Sequence, residues 1–287
     1  MVDRSTPALS TGRSTHVQDS AAYQGTTRFA RASGVVRLGW LLFLRDFRMR
    51  YRQTYFGYLW ALVRVLAPGI PLVMVGSQFG MGGERPVSSY AVFALSGLVL
   101  WQIFWDSVTM PQWVTRRLRR LLSEARFSYQ AILVAATSYV LFNGSLYLLL
   151  IVGTMLISRT PLPSTAVLGL LAIPGIVLSG LAIGMFFVPF TFVYLDFRYG
   201  LPMVSPVLLW TAPIFYESPD SGFLHVLNTW NPLTYLVAIP RSWLTEGFVG
   251  NDIGFVLSLI VFGLIFVPAH RFYNRAIPIG VERVAHA

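Results

Sequence analysis

A chain of 287 residues would ordinarily make one or two soluble domains, but 55% of it is hydrophobic and only 12% charged, about half the ~25% usual in soluble proteins. With a mean hydropathy of +0.60 there is too little polar surface to cover a globule, and the composition predicts a polytopic membrane protein. The basic excess of 22 over 12, net +10, is made entirely of arginine. Without lysine the chain has no Walker A lysine to hold ATP in a phosphate loop. Without cysteine it has no disulfide, thiol nucleophile or cysteine metal site. The arginines sit beside apolar runs, which fits a cytoplasmic membrane face better than nucleic acid.

Residues 1–34 are rich in Ser, Thr, Ala and Gln and lack the apolar core of a secretory signal. They are predicted to be a disordered cytoplasmic tail. Residues 35–57 are predicted to form an interfacial amphipathic helix, and 58–287 a six-span transmembrane domain. Within the interfacial segment, Trp40, Phe43, Leu44, Phe47, Tyr51 and Tyr55 share one apolar face, with Arg45, Arg48 and Arg52 in a narrow wedge beside it. Gly57 then allows the bend into the first span.

Six apolar stretches follow: Leu59–Phe79, Ala91–Val108, Ala131–Ile157, Ala166–Leu195, Leu201–Tyr216 and Ile253–Ala269. A span needs ~20 residues, so the fifth and sixth are short. The fourth carries Pro174 and Pro189 and is expected to kink or break. The expected fold is an all-α polytopic membrane protein of six transmembrane helices. Eighteen arginines fall on the side of the N-terminus and three on the other, with Arg64 inside a span. The positive-inside rule then puts both termini in the cytoplasm.

Between the second and third spans, Arg116, Arg117, Arg119 and Arg120 alternate with leucines and lead to Glu124, a predicted basic docking helix. Between the fifth and sixth, two apolar pieces, Phe223–Trp230 and Leu233–Leu244, are too short to span and read as re-entrant outer helices. Asn231-Pro232 between them is a helix-start signal, Asn as N-cap and Pro at the first helical position. Arg64 and Asp106 are the charges within or at the edge of spans, and a structural ion pair between them is expected. His16, His225, His270 and His286 have no ligand spacing, the carboxylates show no repeated metal-binding motif, and no Ser-His-Asp set converges. Enzyme chemistry is therefore disfavoured.

The run Arg45, Asp46, Phe47, Arg48, Arg50, Tyr51, Arg52, followed by Gly57, Trp60 and Pro68, resembles the permease subunit of type-2 ABC exporters of polysaccharides and polyol phosphates, which export O-antigen, teichoic acid or galactan. Tyr194 to Arg198, Pro206 to Tyr216 and Trp230 to Leu233 resemble further motifs of that family, although Asp196 and Arg198 are placed differently. The likeness extends from about residue 36 to residue 275. It departs in the loop Leu122–Tyr129, which lacks the family's Pro-Arg.

The resemblance implies a homodimer of six-span subunits in the cytoplasmic membrane, with two copies of a separate ATPase that holds ATP and Mg, and no cofactor on this chain. It implies ATPase coupling through Arg45, Asp46, Arg48, Arg52, Arg116, Arg117, Arg119, Arg120 and Glu124. The cargo would be a lipid-linked glycan. Its conduit and outer gate would draw on Trp101, Trp105, Tyr216, Phe223, Trp230, Asn231 and Pro232, because aromatic faces pack against sugar C–H groups. The alternatives are a type-2 exporter of drugs or small lipids, which often carries large extracellular insertions absent here, and an integral membrane enzyme.

Overall fold

The computed structural model describes residues 33–49, 55, 57–83, 85–118, 121, 128–194, 196–247 and 252–285. Most of the predicted tail lies outside these residues, as do Arg50, Tyr51, Arg52, Arg119, Arg120 and Glu124. The described chain is helical throughout, with α1 (33–49), α2 (Leu59–Gln78), α3 (Val87–Arg117), α4 (Gln130–Ile157), α5 (Ala166–Val193), α6 (Asp196–Trp210), α7 (Phe223–Trp230), α8 (Pro232–Thr245) and α9 (Ile253–Ala285).

Five of these helices, α2, α3, α4, α5 and α9, are long and apolar enough to cross a membrane. The fifth predicted span is the exception. Helix α6 has 15 residues, with Pro202 and Pro206 inside it. It is about 22 Å long at 1.5 Å per residue, short of a ~30 Å hydrocarbon core. Residues 211–216 are not helical. In α5, by contrast, the helix runs unbroken through Pro174 and Pro189.

The bundle is organised around α3, which packs against α2, α4, α5 and α8. Its spanning window is 72% buried, against 22% for α2 and for α9. Helix α3 is also longer than its predicted span. It continues through Pro111 to Arg117, so Arg116 and Arg117 form its last turn and do not belong to a separate loop helix.

Its contact with α5 depends on small residues. A Cβ at Gly180 would fall 2.5 Å from the Phe104 carbonyl oxygen, and one at Gly184 would fall 2.6 Å from that of Val108. Gly180 and Gly184 therefore let the two backbones touch, the small-xxx-small device of membrane helix packing.

Candidate functional site

At one end of the bundle, α1 lies against α4. Gly39 permits the approach, since a Cβ there would sit 2.7 Å from the Ala131 carbonyl oxygen. Phe43 meets Tyr139 edge-on at 4.8 Å, and Phe47 meets Phe142 at 4.6 Å. The buried face is therefore Val35, Leu38, Gly39, Leu42, Phe43, Asp46 and Phe47, rotated from the one expected. Trp40 stays 50% exposed. Tyr55 is a bend, so it is not part of the helix that the sequence reading extended over 35–57.

Asp46 is 5% exposed. Tyr139 Oη donates to its Oδ2 at 2.6 Å, and Arg117 Nε forms an ion pair with its Oδ1. The Arg117 guanidinium also lies over the Trp113 ring at 5.1 Å. This junction ties α1 to both α3 and α4, while Arg45 and Arg48 point away from it and are exposed. Of the coupling residues named from sequence, the structure divides those it describes into an ion pair that joins α1 to α3, buried Asp46 with Arg117 39% exposed, and two exposed arginines on α1, Arg45 and Arg48. Arg116 is half-buried.

Midway along α3 is a second polar hub. Arg64 Nη1 lies 3.2 Å from Asp106 Oδ1, with side chains 40% and 2% exposed. Three neutral donors also serve this carboxylate: Gln102 Nε2 at 2.9 Å, Asn143 Nδ2 at 3.1 Å and Tyr147 Oη at 3.0 Å. A carboxylate in a low-dielectric interior requires such a full set of partners. The sequence reading named Arg64 and missed the other three. The signal was present on α4, where Tyr139, Asn143 and Tyr147 recur every fourth residue in an apolar run, a polar-tipped stripe facing α1 and α3.

The third cluster occupies the opposite end of the bundle. Residues 211–217 are irregular backbone whose carbonyl groups are taken up by side chains of neighbouring elements. Arg241 Nη1 donates to the carbonyls of Pro213 at 2.8 Å and Ile214 at 2.9 Å. Tyr90 Oη donates to Phe215 O at 2.8 Å, and Asn231 Nδ2 to Thr211 O at 2.9 Å. Arg85 pairs with Glu217 at 2.9 Å and with Glu246 at 3.2 Å. The Phe93 ring is flanked by the guanidinium groups of Arg241 at 3.7 Å and Arg85 at 4.3 Å. Burial lowers the Arg241 pKa to about 10, which leaves it a cation at neutral pH. Buried irregular backbone is tolerated only when its polar groups are satisfied in this way.

Asn231 also caps α8 as its sequence indicates, accepting from Leu233 N at 3.0 Å with Pro232 in the first turn. Tyr216 Oη donates to the Trp210 carbonyl or to Asn228 Oδ1, each at 3.2 Å. Phe223 and Trp230 are exposed on α7. Arg241, read from sequence only as an outer-side charge, is the buried cation of this cluster.

Of the two tryptophans assigned to a conduit, Trp101 is packed inside the protomer. Trp105 stacks on it with centroids 5.9 Å apart and lines an apolar groove of about 430 Å³ between α3, α5 and α6. Phe187, Phe197, Leu201 and Val204 form other parts of its wall, with Asp196 the charged residue among the lining.

No family model matches the chain. Among curated proteins it is similar to the polysialic acid transport protein KpsM of Escherichia coli, 24% identical over 224 residues that cover 74% of this chain and 83% of that protein.

Proposed function

We propose that this chain is the permease subunit of an ATP-driven exporter that moves a lipid-linked polysaccharide across the cytoplasmic membrane. It works as a homodimer with two copies of a separate ATPase, which binds ATP and Mg, and both its termini are cytoplasmic. The similarity to a polysialic acid transport protein supports polysaccharide as the class of cargo. O-antigen, galactan and teichoic-acid chemistries all fall within that class.

The observation that carries the reading is the two-sided character of α1. Its inner face is locked to α3 and α4 through Asp46, Arg117 and Tyr139, and its outer face presents Arg45 and Arg48. A push delivered to that basic face by an acidic ATPase groove reaches the bundle through the buried junction. The protomer interior along α3 is filled by packed side chains, which favours a glycan path between two copies. Tyr199, Met203, Val207 and Trp210 of α6 form an exposed stripe suited to that boundary. Helices α7 and α8 form the outer gate, in which Tyr216, Phe223, Trp230, Asn231 and Pro232 belong to the moving rim.

The test is reconstitution. The full chain, co-expressed with its partner ABC ATPase, should copurify with that ATPase and support ATP-dependent glycan export. The chain alone should show no turnover above a contaminant control. ATP hydrolysis by the isolated chain, or export of small drugs in place of glycan, would contradict the proposal.

A further inference from the structure

Helix α7 is held loosely. Six of its eight residues are exposed, Asn228 alone is buried, and among the described residues it shares no extensive contact with another helix. Its bonds run mainly to the segment that leads into it. Asn228 Nδ2 donates to Ser218 Oγ at 3.1 Å, His225 Nδ1 donates to Pro219 O at 2.9 Å, and Asn228 Oδ1 accepts from Tyr216 Oη at 3.2 Å. Residues 216–230 thus form one small body. Both of its flanks are fixed. Helix α8 packs on α3, α5 and α9 and buries Leu236, Val237 and Trp243. On the other side, the carbonyls of Thr211, Pro213, Ile214 and Phe215 are already taken by Asn231, Arg241 and Tyr90.

The body meets those fixed parts at two places. At its far end it runs into Asn231 and α8, where Tyr235 Oη donates to Thr229 O at 2.8 Å. At its near end Glu217 docks on the turn between α2 and α3. The Glu217 N–H donates to Met81 O at 3.1 Å, and its carboxylate lies 2.9 Å from Arg85 Nη1. Gly83, at φ +65°, keeps this seat open, since a Cβ there would fall 2.7 Å from Glu217 Oε2. Arg85 has a second hold on the bundle, through Glu246 at 3.2 Å and the Phe93 ring at 4.3 Å. It therefore keeps its place when Glu217 leaves. The docking pair is 30% and 50% exposed, and ion pairs in such a setting are weak and screened by salt.

We infer that Arg85 and Glu217 form a reversible latch, and that residues 216–230 swing as a lid about Asn231-Pro232 while α8, Arg241 and Arg85 stay in place. That the lid clears a path for glycan rests on the function proposed above, whereas the swing itself does not.

The full chain in phosphatidylcholine nanodiscs, without ATP or ATPase, tests this by amide hydrogen exchange read by mass spectrometry. The amides of α7 should be protected in the parent, but less than those of α8. Arg85→Gln and Glu217→Gln should each speed exchange in α7 about five-fold, the loss of one partly exposed ion pair, and leave α8 unchanged. Salt at about 1 M should do the same to the parent and add nothing to either variant. Arg271→Gln, on an exposed face of α9, should exchange as the parent does. Unchanged α7 exchange in both latch variants would overturn the inference. So would α7 amides that are unprotected in the parent, or an α8 that loosens together with α7.

A second arm separates the latch from the transport reading. In this cysteine-free chain, Arg85→Cys/Glu217→Cys joined by a bis-maleimide pins the lid, and glycan export with the partner ATPase should stop. Export that continues through the pinned chain would overturn the lid's place in the path. Absence of export from the parent would count against the exporter reading and leave the latch standing on its exchange data.

Discussion

Asp46 on α1 and Tyr139 on α4 are joined by a buried 2.6 Å hydrogen bond, and the same carboxylate is neutralised by Arg117 at the end of α3. An acidic residue in an arginine-rich surface segment thus becomes the point where three helices meet. Removing the Asp46 carboxylate leaves the buried Tyr139 hydroxyl without its acceptor and Arg117, 39% exposed, without its counter-ion, at about 2–3 kcal/mol. Asp46→Ala should therefore lower thermal stability in detergent sharply. Tyr139→Phe loses one hydrogen bond and should cost about 1–3 kcal/mol. The double variant should be less destabilised than the sum of the two. Strict additivity would show that the two residues do not act as a unit.

Arg45 and Arg48 make the opposite prediction. Both are exposed, and truncating exposed charges usually changes stability by less than about 0.5 kcal/mol. Arg45→Ala/Arg48→Ala should melt like the parent yet fail to copurify with the ATPase. Normal export by this variant would reduce α1 to an anchor.

Asp106 has four partners and Arg64 is half in solvent, so the two ends of this pair are unequal. Arg64→Ala leaves the buried carboxylate three neutral donors but removes its ion-pair partner, and should cost about 3 kcal/mol while the protein still elutes as a monodisperse peak. Asp106→Ala strands Arg64, Gln102, Asn143 and Tyr147 together and should abolish the monodisperse peak in size-exclusion chromatography. Equal behaviour of the two variants would contradict this account.

The Arg241 contacts to Pro213 and Ile214 hold the irregular segment at the end of the bundle opposite α1. Arg241→Met keeps the bulk and removes both donors. In proteoliposomes without ATP it should raise ion leakage severalfold, and shortening α7 should do likewise. A membrane as tight as the parent's would show that this cluster only packs and does not seal.

Topology is testable because the chain has no cysteine. Single cysteines at Ser88, Thr160 and Ser221 should react with an impermeant maleimide in intact cells. A cysteine at Ser123 or Tyr199 should react only after permeabilisation. Labelling of position 123 from outside would reverse the orientation drawn from the arginine count.

Apolar runs, arginine placement and the Asn231-Pro232 cap were enough, read from the sequence, to indicate a membrane protein, the approximate bounds of α2, α4, α5, α7 and α8, and the start of α9, whose end was placed at Ala269 although the helix runs on to Ala285. These features are local. A run of apolar residues becomes a helix in lipid because no other structure satisfies its backbone, and a cap acts within one turn.

What the sequence left open is which face of each helix is buried, and against what. Lipid tails are as apolar as leucine, so hydropathy does not separate a lipid-facing side from a packed one. For that reason α1 was read with Trp40 on its apolar face and Asp46 as a coupling residue, α3 was cut short at Val108, and α6 was counted as a span. Only the tertiary structure turned Asp46 inward, brought Asn143 and Tyr147 to Asp106, and placed Arg241 beneath residues 213 and 214. Each is a polar group whose partner lies on another element, and in a medium without water such pairings decide how the elements assemble.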